Sequence, residues 1–255
     1  MRQATSVSDA EFRAVLDERR LETAFQPILR LDSEEVVGYE ALVRGPAATR
    51  FASAGSLLDA AYRSGRVVEF DWAARASACR AALAAGLTRE TLLFLNVEPL
   101  ALDSDCPRDL WPDIDRGFAS LRVVLEVTER SLDRDPRALL RGIDRQRPTV
   151  AGLALDDVGA DTRTLAMLPV LAVDVVKLDL TVTQTGPTPT ALKVLDQTYE
   201  EAERTGAAIL AEGVETAAHA AFARSVGACM GQGRLFGEAG PLPAAQPRHR
   251  RRLHL

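Results

Sequence analysis

The sequence predicts an α/β protein, a modified (β/α)8 TIM-type barrel whose first two strands run antiparallel. Three observations carry this expectation. Eight strand-like apolar runs recur along the chain. Amphipathic helical patterns fall mostly between them, the alternation that builds a parallel sheet. The 255 residues are the size of one such barrel.

The elements follow in order. Ser8 and Glu11 have capping-box spacing, with Phe12, Val15 and Leu16 on one face, so an N-terminal helix is predicted within residues 1–20. The strand-like runs are 24–31, 36–42, 91–97, 122–127, 150–157, 173–179, 207–213 and a weaker 228–233. The first two lie too close together for a crossover helix, which predicts an antiparallel pair. Residues 56–86 read as helix with a break at Ser64-Gly65, and 136–146 as a shorter amphipathic piece. Residues 162–171 carry Leu165, Leu168 and Leu171 at core-facing spacing. A helix over 190–205 stops at Gly206, and one over 216–226 stops at Gly227. No linker or low-complexity break interrupts 21–243, so one barrel domain is expected there. Residues 244–255, with Arg248, Arg250, Arg251 and Arg252, read as a solvated, disordered basic tail.

Net charge is -5, so composition implies no general attraction to DNA, RNA or acidic membranes. The start lacks the apolar segment of a signal peptide, and no run is long enough for a membrane span. Cys79, Cys106 and Cys229 show no metal or redox spacing and read as reduced thiols of a cytoplasmic protein. Of 31 basic residues only Lys177 and Lys193 are lysine, and Asn96 is the single asparagine. Against so strong an arginine bias, a lysine inside the apolar run VVKLD reads as chosen.

In such a barrel, chemistry sits at the carboxyl ends of the strands. Those ends carry Glu40, Asn96, Glu126, Asp156 with Asp157, Lys177 with Asp179, Glu212 and Gln232. Any one of them could simply mark where a strand stops. Their joint occurrence is the signal, because a Lys and two adjacent acids following apolar runs need opposite charge beside them. No His or Cys joins the set, which argues against zinc. Carboxylate and amide oxygens select hard cations, Mg2+ or Mn2+. Four or more carboxylates need two divalent ions for balance. A two-ion centre suits phosphate ester hydrolysis.

These residues lie in motifs that resemble those of the EAL-domain cyclic di-GMP phosphodiesterases. The motifs are FQPI at 25–28, GYEALVR at 38–44, LFLNV at 93–97, LEVTE at 125–129, LDD at 155–157, VVKLD at 175–179, AEGVE at 211–215 and QG at 232–233. The resemblance implies hydrolysis of cyclic di-GMP to linear pGpG with Mg2+ or Mn2+, and it admits a homodimer. It implies Glu40, Asn96, Glu126 and Asp156 as ligands of one ion, with Asp157 and Glu212 serving a second that shares Asp156. Lys177 would orient and polarise the attacking water, acting with Asp157 and Glu212 as the catalytic groups. Gln26, Leu42, Arg44 and Gln232 would contact the nucleotide. Glu129, Asp179 and Glu215 would support the site from behind.

One stretch departs from the family pattern: DDVGADTRTL stands where the family has DDFGTGYSSL. The usual hydroxyl partner of Glu129 is lost at Ala160. Asp161 adds a charge that could bind metal, repel a phosphate or cap the helix at 162–171; the cap is the simplest reading. The altered loop 158–164 keeps a second function open, a cyclic di-GMP receptor or regulatory module with weak or no turnover.

Overall fold

The computed structural model describes residues 2–128, 136–160, 168–186 and 188–243. Eight strands close into a barrel in chain order: β1 (Glu22–Arg30), β2 (Val36–Arg44), β3 (Leu92–Asn96), β4 (Arg122–Val127), β5 (Gly152–Val158), β6 (Val175–Leu178), β7 (Ala208–Ala211) and β8 (Met230–Gln232). Every predicted strand is present. β1 runs antiparallel to β2 and to β8, while β2 through β8 are parallel. Glu22 pairs with Arg44, so the start of β1 lies at the rim where β2 ends.

Alternation along the strands divides their side chains into two sets. Ile28, Phe94, Val124, Ala154, Val175, Leu210 and Met230 form one apolar cluster, the packed floor of the barrel. Leu93, Leu95, Val123, Leu125, Leu153 and Leu155 face the other way and pack with Leu102, Leu139 and Ile143 of the helices. Near-continuous apolar strands are the sequence record of this burial on both faces. Gly38 on β2 is required by close approach. A Cβ there would stand 3.0 Å from the Leu92 carbonyl oxygen and 3.2 Å from the Phe94 ring.

The helices among the described residues are α1 (Arg2–Asp17), α2 (Ala54–Arg63), α3 (Val67–Ala84), α4 (Pro99–Leu102), α5 (Trp111–Ser120), α6 (Pro136–Gln146), α7 (Leu168–Leu171), α8 (Leu180–Thr185), α9 (Pro189–Thr205) and α10 (Ala217–Ser225). The expected break separates α2 from α3. Ser53 caps α2 by accepting from the Ser56 amide, and Thr188 and Thr216 cap α9 and α10 likewise. Gly206 ends α9 in the left-handed conformation, φ 79°.

One expectation is corrected. The N-terminal helix begins at Arg2, not at a cap on Ser8, which lies within it. The stretch TSVSDA ahead of Phe12 lacks the apolar periodicity that would have announced a helix. The predicted face is right: Phe12, Val15 and Leu16 are buried with α2, α3 and α5 residues, and the Phe12 ring lies 5.8 Å from Phe51 and 6.4 Å from Phe70. Of the predicted helix over 162–171, the described part is α7; 161–167 and the tail 244–255 lie outside the described residues. No helix of the described residues is long and apolar enough to cross a membrane.

The packing of the floor can be tested directly. Phe94 is fully buried at its centre. Phe94→Ala should cost about 3–5 kcal/mol, read from the shift of the denaturant midpoint.

Candidate functional site

Two residues beyond each floor position, the next inward side chain is polar on every strand. Phe94 is followed by Asn96, Val124 by Glu126, Ala154 by Asp156, Val175 by Lys177, Leu210 by Glu212 and Met230 by Gln232. Gly38 is followed by Glu40, and on the reversed β1 the step runs from Ile28 back to Gln26. The strand period of two therefore builds a polar ring directly on the apolar floor.

Lys177 stands at its centre, fully buried. Its Nζ lies 2.7 Å from Glu126 Oε1, 2.9 Å from Asp156 Oδ1, 2.9 Å from Glu212 Oε1 and 3.9 Å from Glu40 Oε2. Glu40 is oriented from both sides: Asn96 Nδ2 donates to its Oε1 at 3.0 Å and Gln232 Nε2 to its Oε2 at 2.5 Å. Gln232 Nε2 also reaches Gln26 Oε1 at 2.9 Å, and Gln26 Nε2 donates to the Gly237 carbonyl at 3.2 Å.

Two adjacent strand residues normally face opposite sides. Asp156 and Asp157 escape this through a bulge: Leu155 pairs with Val176 but Val158 pairs with Leu178, three residues against two. The extra residue is Asp157, in the left-handed region at φ 58°. Oxygens of Asp156, Asp157 and Glu212 consequently come within 4.8 Å of one another. Val158, the first altered residue of the loop, is fully buried in the core cluster beyond the barrel wall.

Five carboxyl groups, Glu40, Glu126, Asp156, Asp157 and Glu212, thus face one ammonium. Ionised, they leave four negative charges uncompensated. Burial raises the Glu126 carboxyl well above its ordinary value, opposed by Lys177 and reinforced by Glu40 and Asp156. Burial pushes Glu212 up to about 8, again opposed by Lys177 and helped by Asp156 and Glu40. Burial alone would lower Lys177, but Asp156, Glu126, Glu212 and Glu40 outweigh it and hold the ammonium well above its usual value. Such a set either protonates or takes up cations. Apart from Lys177, both Glu126 oxygens lack a partner among the described residues. The all-oxygen donor set and its charge fit hard divalent cations.

The other predicted site residues lie around this ring. Arg44 ends β2 at the rim and donates Nη1 to the Val43 carbonyl at 3.0 Å. Leu42 lines a cleft of about 680 Å³ that opens beside Glu40, Asn96 and Asp157. Asp179 is buried and caps α8, accepting from the Thr181 amide at 2.8 Å and its hydroxyl at 2.5 Å. Glu215 pairs with Arg234 at 2.8 Å. Glu129 and Asp161 lie outside the described residues.

Sequence reading missed the far wall of the cleft. There Asp71 and Arg75 on α3 form a buried ion pair, and Asp71 accepts from the Glu98 amide at 2.7 Å. Tyr62 of α2 donates to Glu98 Oε2. The signal was present, an acid and an arginine at i and i+4, but in a chain rich in arginine it read as background.

The comparisons with known proteins fit this geometry. A closed barrel with a ring of carboxyl groups about a buried lysine is an α/β barrel with a candidate metal centre at its mouth. The chain belongs to the EAL-domain family, whose profile, described as EAL domain, matches residues 9–239. It is 30% identical over 247 residues to the cyclic di-GMP phosphodiesterase NbdA of Pseudomonas aeruginosa, covering 93% of this chain and 31% of that protein. It is 28% identical over 249 residues to an uncharacterized protein of Mycobacterium tuberculosis, covering 94% of this chain and 40% of that relative. The chain therefore spans less than half the length of these relatives. BlrP1 of Klebsiella pneumoniae, solved as a manganese/cy-diGMP complex at pH 9.0, superposes with a TM-score of 0.74 at 26% identity, over 87% of this chain and 56% of that one. The same protein was also solved as a calcium/cy-diGMP complex.

Two expectations follow from this geometry. Asp157→Gly should leave stability within about 1 kcal/mol of wild type, since glycine takes φ 58° freely, whereas Asp157→Val should cost about 1–2 kcal/mol. Both should weaken divalent-ion binding in a calorimetric titration. Burial raises Asp71 to about 6 from 3.8, against the opposing charge of Arg75. The folded state keeps this proton while the unfolded chain releases it, so the group's contribution falls as pH rises from about 4 to 6. Between pH 4 and pH 7, stability should therefore shift by up to about 3 kcal/mol in favour of Asp71→Asn, relative to wild type, in parallel denaturation curves.

Proposed function

We propose that the chain is a metal-dependent phosphodiesterase that hydrolyses cyclic di-GMP to linear pGpG. The observation that carries this reading is the ring itself: five carboxyl groups from four strands around one buried ammonium, beside a cleft large enough for a nucleotide. Family membership and the activity of the Pseudomonas relative support the substrate.

Glu40, Asn96, Glu126 and Asp156 would hold one Mg2+ or Mn2+, and Asp156, Asp157 and Glu212 a second. Two divalent ions match the four uncompensated charges. Bound there, they would supply a hydroxide nucleophile at neutral pH and Lewis acidity toward the phosphodiester.

The chain's own residues do the rest. Lys177 would act as a donor toward the attacking water. Its ammonium fixes the facing oxygens of Glu126, Asp156 and Glu212 and offers a positive charge to the attacking water. Asn96 and Gln232 lock the Glu40 carboxylate. Arg44 at the rim would take a substrate phosphate, with Leu42 and Gln26 beside the nucleotide and Gln232 beneath it. Asp179 sets the start of α8 and Glu215 anchors Arg234 behind the ring.

A turnover assay with product analysis across Mg2+, Mn2+ and Ca2+ tests this. Protein with Mn2+ should yield linear pGpG, and chelation should abolish the activity. Glu40→Ala should lower turnover by more than the roughly 100-fold typical of losing an outer-sphere partner. Saturable binding without turnover under all three ions would replace the enzyme reading with the receptor one.

A further inference from the structure

The chain leaves the barrel directly after Asn96. The parallel ladder pairs Asn96 with Glu126, and one further bond runs from the Val97 amide to the Glu126 carbonyl at 3.0 Å. The next amide, that of Glu98, is bonded by a side chain instead: Asp71 of α3 accepts it through Oδ2 at 2.7 Å. The same carboxylate pairs through Oδ1 with Nη2 of Arg75, whose Cζ lies 3.7 Å over the Trp72 ring. Trp72 in turn donates Nε1 to Ser104 Oγ at 2.9 Å, and Ser104 Oγ donates to the Ala101 carbonyl at 2.8 Å. Helix α3 therefore grips residues 98–104 at both ends.

Stability does not explain this grip. Asp71, Trp72 and Arg75 are all buried, and Arg75 Nε and Nη1 have no hydrogen-bond partner among the described residues. A buried ion pair with unpaired donors gains little over an apolar pair of similar size. What the pair supplies is a fixed acceptor for one backbone amide. Asn96 has most need of it. It is exposed at the end of its strand, and among the described residues its side chain makes one hydrogen bond, Nδ2 to Glu40 Oε1 at 3.0 Å. We propose that Asp71, held by Arg75, is a positioning residue: by fixing the Glu98 amide it sets the backbone of Asn96, and with it the place of the Asn96 side chain in the metal site. The inference rests on the metal-dependent reading above, in which Asn96 is a ligand, and adds to it the pair that holds that ligand in place.

Two double variants isolate the acceptor. D71L/R75M replaces the ion pair with apolar side chains and leaves the Glu98 amide without its acceptor. D71N/R75M also removes both charges but keeps a side-chain oxygen that can accept from that amide. Thermal melting checks that each folds. In calorimetric titration with Mn2+ alone, D71L/R75M should bind roughly 10- to 100-fold more weakly than wild type, the range for losing a group that orients a metal ligand, while D71N/R75M stays within about threefold. In an N96A background, D71L/R75M should change the affinity by less than about threefold, because its effect passes through Asn96. Hydrogen exchange on the wild-type protein needs no variant: the Glu98 amide should exchange as slowly as the ladder amides of β3.

Wild-type Mn2+ affinity in both double variants would overturn the role of Asp71 and leave the metal-dependent reading standing. Equal weakening in the two would overturn it as well, since the acceptor would then make no difference. So would a full loss added on top of N96A, or a Glu98 amide that exchanges as fast as an unprotected loop. If wild type takes up no Mn2+, the metal-dependent reading fails, and this inference fails with it.

Discussion

One ammonium confronting several carboxylates in the closed mouth of a barrel is the constraint on which the rest of this structure depends. Lys177 has lost all contact with solvent. Its desolvation is tolerable because Glu126, Asp156 and Glu212, from three strands, lie within 2.9 Å. The converse also holds: those carboxylates could not all stay ionised at this separation without a cation among them. Barrel closure makes the encounter possible. The residues are scattered from position 40 to position 212, and the strand register brings each to the same height. The apolar floor beneath, from Ile28 to Met230, excludes water from below and fixes that height.

The charge is deliberately incomplete. A single ammonium against five carboxyl groups stabilises the ring without neutralising it. Two of the five, Glu40 and Asp157, line the cleft. Asn96, the lone asparagine, illustrates the economy of the arrangement. Its Nδ2 holds Glu40, which leaves its carbonyl oxygen for another partner. A carboxylate in its place would repel Glu40, and an apolar residue would leave Gln232 as its only hydrogen-bond donor among the described residues.

Much of this was legible in the sequence, for stated reasons. Runs such as RVVLEV announce strands buried on both faces, and the few residues between positions 31 and 36 force an antiparallel start. The polar ring was visible because it consists of residue types that apolar strands do not otherwise tolerate. What stayed hidden has physical causes. LALDDV reads as an uninterrupted strand, since nothing local reports that Asp157 turns left-handed; the bulge exists because two consecutive aspartates must share one face. Helix α5 was obscured by Pro112 and Gly117, the latter needed where α3 packs close, for a Cβ there would stand 2.5 Å from Cys79. Asp71 and Arg75 sit in a helix buried nearly all round, where no amphipathic stripe sets them apart.

The two buried cations Lys177 and Arg75 differ in kind, and the difference follows from what each faces. Lys177 meets oxygens arriving from several strands at different angles. A compact ammonium with three rotating donors answers that geometry, whereas a guanidinium donates only within its own plane and is bulkier. In a chain with only two lysines, an arginine at 177 would have been the default of composition. Arg75 has the opposite task. Its flat guanidinium stacks on the Trp72 ring while Nη2 pairs with Asp71, a contact made by a plane and not by a point charge. An ammonium there would keep the charge but lose the direction. The protein thus buries a radial cation where several strands deliver oxygens and a planar one where a helix offers an indole face.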